Sequence, residues 1–287
     1  METEKTLQIA PRNMFVALFL SILVPGLGQL YNGQARKGII IFAAILFMVA
    51  VTALTGLELH FWGFCLILGG MAAFRLYVIV DAIVVARRTR DFVPRGYNKP
   101  ILYFVIALVV IVAVNIVDFR ALLGVSAFRV PSESSKPALE VGDFIMAQLD
   151  PDRRMEPQRG EIWVFLYPGD HRTHYIKRVV AFPGESVELH DGRLHINGEP
   201  RTEPWADYAG RGAIVLRVSE GPFEVPEGRV FVLGDNIGNS VDSRSFGAIE
   251  TELLVGKACY IYFSHESERG GLGVRWKRIG MDLRPDG

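Results

Sequence analysis

Three short stretches of this 287-residue chain hold side chains able to make and break covalent bonds. The first, Val130 to Asp143, carries Ser132, Ser134 and Ser135 between Pro131 and Pro137, so hydroxyls cluster on a segment whose backbone proline restrains. The second, His174 to Gly184, sets Lys177 in a run of β-branched and aromatic residues; strand alternation puts Tyr175, Lys177 and Val179 on one face. The third, Gly234 to Arg244, is a loop-forming stretch with one more hydroxyl, Ser240, and an Asp242–Arg244 pair. A serine hydroxyl is a weak nucleophile until a neighbouring base takes its proton. Burial disfavours the charged form of lysine and lowers its pKa, so a desolvated Lys177 beside a serine would supply that base without a histidine.

Taken singly, each feature has an ordinary explanation. A loop serine is usually only polar, and a strand lysine is usually a solvated edge residue. Asp242 and Arg244 suit a pair that holds a loop better than one that reacts. His171 and His174 fall in a polar turn and read as solvent-facing rather than as metal ligands. The two cysteines, Cys65 and Cys259, lie in an apolar run and in the polar half, which makes a disulfide between them implausible. No zinc-ligand spacing is present, and the chemistry expected needs no metal or cofactor. The signal lies in the three stretches together.

The elements that must position these residues are strands. Phe144–Gln148, Ile162–Leu166, Tyr175–Val180, Ser186–Leu189, Arg193–Ile196 and Arg229–Leu233 are short runs rich in β-branched and aromatic residues. Turn formers separate them: Pro168-Gly169-Asp170, Asp191-Gly192 and Asn197-Gly198. Asp191-Gly192 between two such runs predicts a hairpin. Residues 121–287 therefore read as a mostly antiparallel β domain.

The preceding 120 residues are different. They hold 11 basic against 6 acidic side chains, whereas the remainder holds 20 against 25, so a net charge of zero conceals an apolar basic half and a soluble, slightly acidic one. The overall balance argues against a general nucleic-acid binder. Gly38–Leu57 and Ile101–Val117 are uncharged runs suited to crossing a bilayer, and Phe61–Ala86 is longer but contains Arg75 and Asp81. Met14–Tyr31 is interrupted by Pro25, Gly26 and Gly28, and either spans or re-enters. Arg75 and Asp81 read as a snorkelling arginine or as polar partners for neighbouring helices rather than as a transport pathway. No removable signal peptide is read at Met1–Asn13. Arg36 and Lys37, and the cluster Arg87, Arg88, Arg90, Arg95 and Lys99, place two loops in the cytoplasm, while Thr55–His60 has no Lys or Arg. Ile101–Val117 then runs outward and delivers the β domain to the outer side. The fold class expected is an α-helical transmembrane region over residues 1–120, with three or four spanning or re-entrant helices, followed by the antiparallel β catalytic domain.

The three chemical stretches, in this order and beyond a membrane span, resemble the boxes of signal peptidase I, a bacterial membrane-bound serine protease. The likeness covers roughly Phe128 to Arg278 and includes a closing segment from Val274 to Gly280. It implies Ser134 as nucleophile, Lys177 as general base and Ser132 as side-chain oxyanion donor. It further implies Ser240 as the hydroxyl that orients the lysine, Asp242 and Arg244 as a structural pair, and Phe128, Val130 and Ile176 as the lining of shallow pockets for small residues, with Ser135 at their border. Where that family usually has Met, Thr and Arg-Asp, this chain has Ser135, Ala138 and Ile237-Gly238, which bears on efficiency and preference more than on reaction type. The resemblance implies cleavage of secretory precursors after Ala-x-Ala-type sites on the outer face of the plasma membrane, with membrane lipid and the secretion translocon as neighbours. A specialised or self-cleaving relative with one dedicated substrate, and a non-catalytic membrane scaffold, are the other readings. Pro25 to Gly33, Lys37-Gly38 and Asp81 resemble a small bacterial helix-pair membrane module, whose glycines permit close helix approach.

Overall fold

A computed structural model describes residues 11–150, 155–190, 192–207, 222–266 and 273–285. The chain divides into two compact units: Met1–Leu57 with Gly63–Leu123, and Glu58–Trp62 with Gly124–Gly287.

The first unit is helical. Helix α1 (Met14–Leu23) starts at Asn13, whose side chain accepts from the N–H groups of Phe15 and Val16, and it stops at Pro25. Val24 is extended, as a residue before proline prefers, and Gly26 takes the left-handed conformation at φ 94° before α2 (Leu27–Tyr31) begins. The interrupted run Met14–Tyr31 is therefore two short helices with a bend. A Cβ on Gly26 would lie 2.6 Å from the Gly38 carbonyl oxygen, so only glycine permits this backbone contact. The bend frees the carbonyl of Ile22, which accepts a hydrogen bond from the Arg75 guanidinium.

Helices α3 (Ala35–Thr55) and α4 (Phe61–Arg88) are long and apolar enough to cross a membrane; α5 (Pro100–Ile116) has 17 residues, and α6 (Phe119–Leu123) is a single turn. Asp81 of α4 accepts from Lys37 Nζ at 2.6 Å and from Gln29 Nε2 at 3.1 Å, while Asn32 Nδ2 donates to the Ala82 carbonyl. Both charged residues of the third apolar run thus serve as polar partners for neighbouring helices.

The second unit is mostly antiparallel β. Its strands are β1 (Val125–Arg129), β2 (Asp143–Leu149), β3 (Ile162–Leu166), β4 (His174–Ala181), β5 (Ser186–His190), β6 (Arg193–Ile196), β7 (Glu199–Pro200), β8 (Phe223–Glu224), β9 (Arg229–Leu233), β10 (Ile249–Glu250) and β11 (Leu254–Ser264). One sheet has the order β1-β2-β11-β3-β4-β9-β10 and the other β7-β6-β5-β8, every pairing antiparallel. All six strands expected from sequence are present. β5 and β6 do pair as the hairpin anticipated, although Asp191 of its turn lies outside the described residues. The β6–β7 turn runs through Asn197 and Gly198, both at positive φ, as a tight primed turn requires.

Strands β1 and β11 were not anticipated, and β11 is the longest, lying between β2 and β3. It escapes the alternation rule because the consecutive residues Ala258 to Ile261 are all buried, so both faces are covered there, and two register shifts, at Ala258/Tyr260 and Ile261/Phe263, interrupt its period. Its run Cys259–Phe263, aromatic and β-branched, was the signal available.

The segment Glu58–Trp62 packs within this second unit. The Tyr260 hydroxyl donates to the Glu58 carbonyl at 2.7 Å, and the Phe61 and Tyr260 rings meet edge-on at 5.9 Å.

Candidate active site

The first chemical stretch leaves β1 at Val130, makes a short helical turn at Glu133–Ser135 and passes through a cis Lys136–Pro137 bond. Apolar anchors hold it from below. Val130 and Leu139 pack with Ile145, Ile162, Val164 and Ile176 in one buried cluster. A charged clamp holds its far end. Asp143 is fully buried and receives Arg278 Nη2 at 2.6 Å and Arg275 Nη2 at 3.2 Å, while Arg278 Nη2 also donates to the Ala138 carbonyl at 2.8 Å. The closing segment Val274–Gly280 therefore fixes the backbone that follows Ser134.

Strand β4 brings Lys177 to that turn. Both faces of β4 are covered, so Lys177, opposite Trp163 on β3, is 5% exposed. Its Nζ lies 2.6 Å from Ser134 Oγ. Ser134 is 8% exposed, and its Oγ lies 3.2 Å from Ser132 Oγ. Burial lowers the Lys177 pKa to about 8, against the opposing pull of Asp242 and Asp235, with Arg244 assisting the decrease. Tyr175 presents its ring 5.6 Å from Nζ and is itself stacked on Tyr167 at 4.7 Å.

The third stretch closes the site from the other side. Asn236 N–H donates to the Ser134 carbonyl at 3.1 Å, and Asn236 Nδ2 donates to the Glu133 carbonyl, also at 3.1 Å. Gly234 sits so close that a Cβ there would fall 2.4 Å from the Ser134 carbonyl oxygen and 2.2 Å from Ser240 Oγ. Asp242 and Arg244 form a two-pronged pair at 2.8 and 2.9 Å. Arg244 Nη2 also donates to the carbonyls of Ile237 and Ser240, and Asp242 accepts from the Gly234 N–H, so the pair holds the loop.

Two expected contacts differ. Ser240 Oγ is buried beside Ser134 but has no hydrogen-bond partner among the described residues, so it does not orient Lys177 here, whose Nζ meets Ser134 Oγ instead. Phe128 does not line the cavity in front of Ser134. Its ring packs 5.3 Å from that of His174, which does line it, and against the buried cluster that holds Val130 and Ile176. Val130, Ile176 and Ser135 all line this cavity of about 380 Å³, together with Tyr175, Asn239 and Val241. Ser135 is itself buried, with its hydroxyl donating to the Ile176 carbonyl at 3.1 Å.

Sequence reasoning missed a second buried pair. Arg178, next to Lys177 and on the opposite face of β4, donates from Nε and Nη2 to Asp235 at 2.8 and 2.6 Å. Both residues stood inside the chemical stretches, but which partner each would find depends on β4 and β9 pairing. Among the described residues no group of three His, Cys, Asp or Glu side chains is arranged to hold a metal ion.

Residues 101–263 match the family described as signal peptidase, peptidase S26. Signal peptidase I of Pseudomonas fluorescens is 31% identical over 249 aligned positions, which cover 70% of this chain and 84% of that protein. Signal peptidase I T of Bacillus subtilis is 34% identical over 147 positions, covering 50% of this chain and 76% of that one. A crystal structure of a signal peptidase I from Enterococcus faecalis is 34% identical and matches 36% of this chain and 97% of its own, with a TM-score of 0.30.

Proposed function

The chain belongs to the signal peptidase family, peptidase S26, and from that premise we propose that it cleaves signal peptides from secretory precursors by Ser134–Lys177 acyl-enzyme chemistry. One observation carries the reading: Lys177 Nζ sits 2.6 Å from Ser134 Oγ in a setting that brings the amine's pKa down to about 8. In its neutral form the amine accepts the Ser134 proton as Oγ attacks the scissile carbonyl, and the resulting ammonium returns that proton to the leaving amine. Breakdown of the tetrahedral species leaves an ester on Ser134. Water, deprotonated by the same lysine, hydrolyses it and restores the hydroxyl. Ser132 Oγ, within 3.2 Å of the nucleophile, is positioned to donate to the developing oxyanion. Val130 and Ile176 bound a space suited to small side chains, which supports a preference for Ala-x-Ala sites.

We further propose that residues 1–120 form the membrane domain and 121–287 an extracytoplasmic peptidase domain in the bacterial plasma membrane, with lipid and the translocon as neighbours. The uncharged connection Thr55–His60, apart from Glu58, supports the sidedness: Glu58–Trp62 packs with the β strands, as expected if both lie outside. The decisive experiment incubates the purified protein with an Ala-x-Ala precursor and compares Ser134→Ala. Cleavage at that site by the wild type alone is expected. No cleavage by the wild type would refute the reading.

A further inference from the structure

The basic connection after α4 does more than mark a side of the membrane. The Arg12 guanidinium lies between two aromatic rings, 4.3 Å from the centroid of Tyr31 and 3.5 Å from that of Phe92. Such a sandwich covers both faces of the planar group and fixes its plane, leaving the edge for hydrogen bonding. Nε and Nη2, the two nitrogens that form the side-on fork of a guanidinium, are shielded from water and meet no acceptor among the described residues. A fork of this kind grips two oxygens of one carboxylate or phosphate, and leaving its donors unmatched is costly.

The surroundings choose between those anions. Arg12 N–H donates to the Thr89 carbonyl at 3.2 Å, which holds Arg12 at the C-terminal end of α4. There Arg87 Nε meets Met14 Sδ at 3.0 Å, and Arg88 and Arg90 flank Thr89 in sequence. Arg95 Nη1 donates to the Tyr97 hydroxyl, which in turn donates to the Gly33 carbonyl at 2.8 Å, and a Cβ on Gly33 would meet the Phe92 ring at 2.7 Å. None of Arg12, Arg87, Arg88, Arg90 and Arg95 forms an ion pair among the described residues, and the one acid of the stretch, Asp91, pairs with none of them. Several unneutralised cations at the end of a membrane-spanning helix suit a multiply bonded phosphate at head-group depth better than a lone carboxylate.

We propose that Arg12, clamped by Tyr31 and Phe92 and flanked by the arginines at the end of α4, binds the phosphate of an anionic phospholipid. The test uses the full chain reconstituted in vesicles of phosphatidylcholine and phosphatidylglycerol, roughly three to one, then gently extracted and weighed by native mass spectrometry. The wild type should retain phosphatidylglycerol in preference to phosphatidylcholine. Arg12→Gln should retain at least about tenfold less, the loss expected for a charge-assisted double hydrogen bond. Arg12→Lys should also lose it, because an ammonium keeps the charge without the fork. Lys277→Gln, a charge change in the second unit, should retain the wild-type amount. Each variant's precursor cleavage in detergent reports that it has folded. Wild-type retention by Arg12→Gln overturns the proposal. Displacement of the lipid by inorganic phosphate alone would also overturn the lipid assignment and make the site one for free phosphate.

Discussion

At the scale of single residues, the proposed chemistry depends on one amine losing its proton. Lys177 titrates near 8 because burial outweighs the pull of Asp242 and Asp235. The cleavage rate should therefore rise with pH through about 8 and level off above it, since only the neutral amine can act as base. Asp235→Asn removes one of the two carboxylates that oppose the decrease, so the same profile should move to lower pH. The linkage to stability has a definite sign. An unfolded chain keeps the lysine proton up to about 10.5, so between about 8 and 10.5 it holds a proton that the native chain has released, and stability should increase with pH across that window. Chemical denaturation at several pH values checks this. Lys177→Arg should be inactive, because guanidinium does not give up its proton. Ser134→Ala should abolish cleavage while Ser135→Ala keeps most of it. Ser135 points to the Ile176 carbonyl, so its loss should appear in stability, by about 1–3 kcal/mol for an unsatisfied buried acceptor. Equal loss of activity in both variants would reassign the nucleophile. Ser132→Ala should lower turnover by about 10²–10³ with KM little changed, as removal of one oxyanion donor does.

At the scale of elements, three separate pieces of chain converge on the turn at Glu133–Ser135. Strand β4 supplies the amine, the loop after β9 supplies Gly234 and Asn236, and the closing segment supplies Arg278. Gly234→Ala would drive a methyl group into the Ser134 carbonyl, so it should displace the nucleophile and cost roughly 1–3 kcal/mol, the usual range for overpacking. Its kcat should fall more than its melting temperature alone would explain. Asp143→Ala removes the buried carboxylate of the clamp and leaves Arg275 and Arg278 only the partly exposed Glu140 as a charged partner, a loss of about 1.5–3 kcal/mol for hydrogen bonds to charged groups. Thermal unfolding should show that loss directly, while an Asp143→Ala protein as stable as the wild type would remove the clamp from this account.

At the scale of the whole molecule, sidedness is the property to test. With Cys65 and Cys259 replaced, Arg90→Cys should resist an impermeant thiol reagent in intact cells, and Gly192→Cys should be labelled. The expectation rests on the basic cluster before α5 set against the connection Thr55–His60, which has no Lys or Arg. Labelling of Arg90→Cys without permeabilisation would invert the topology and put Ser134 in the cytoplasm.

What the sequence determined by itself is local in its physics. Proline and glycine punctuation within Met14–Tyr31 already contained the bend at Val24-Pro25-Gly26, since Pro25 has no N–H to give and Gly26 accepts a left-handed backbone. Alternation and turn residues located six strands, while spacing alone offered a cluster of three serines and only the resemblance to signal peptidase I implied Ser134 among them. What only the tertiary structure decided is non-local. Strand β11 carries its apolar residues on both faces because neighbours cover both, and its bulges break the period that would reveal it. Arg178 finds Asp235, 57 residues away, only when β4 pairs with β9. Phe128 turns to His174 rather than to the cavity, and Ser240 lies beside Ser134 without bonding to Lys177, because side-chain direction follows from how the elements pack. Residue types and spacing name the groups that can react; their desolvation, and with it the pKa of Lys177, exists only once strands far apart in the chain have closed around them.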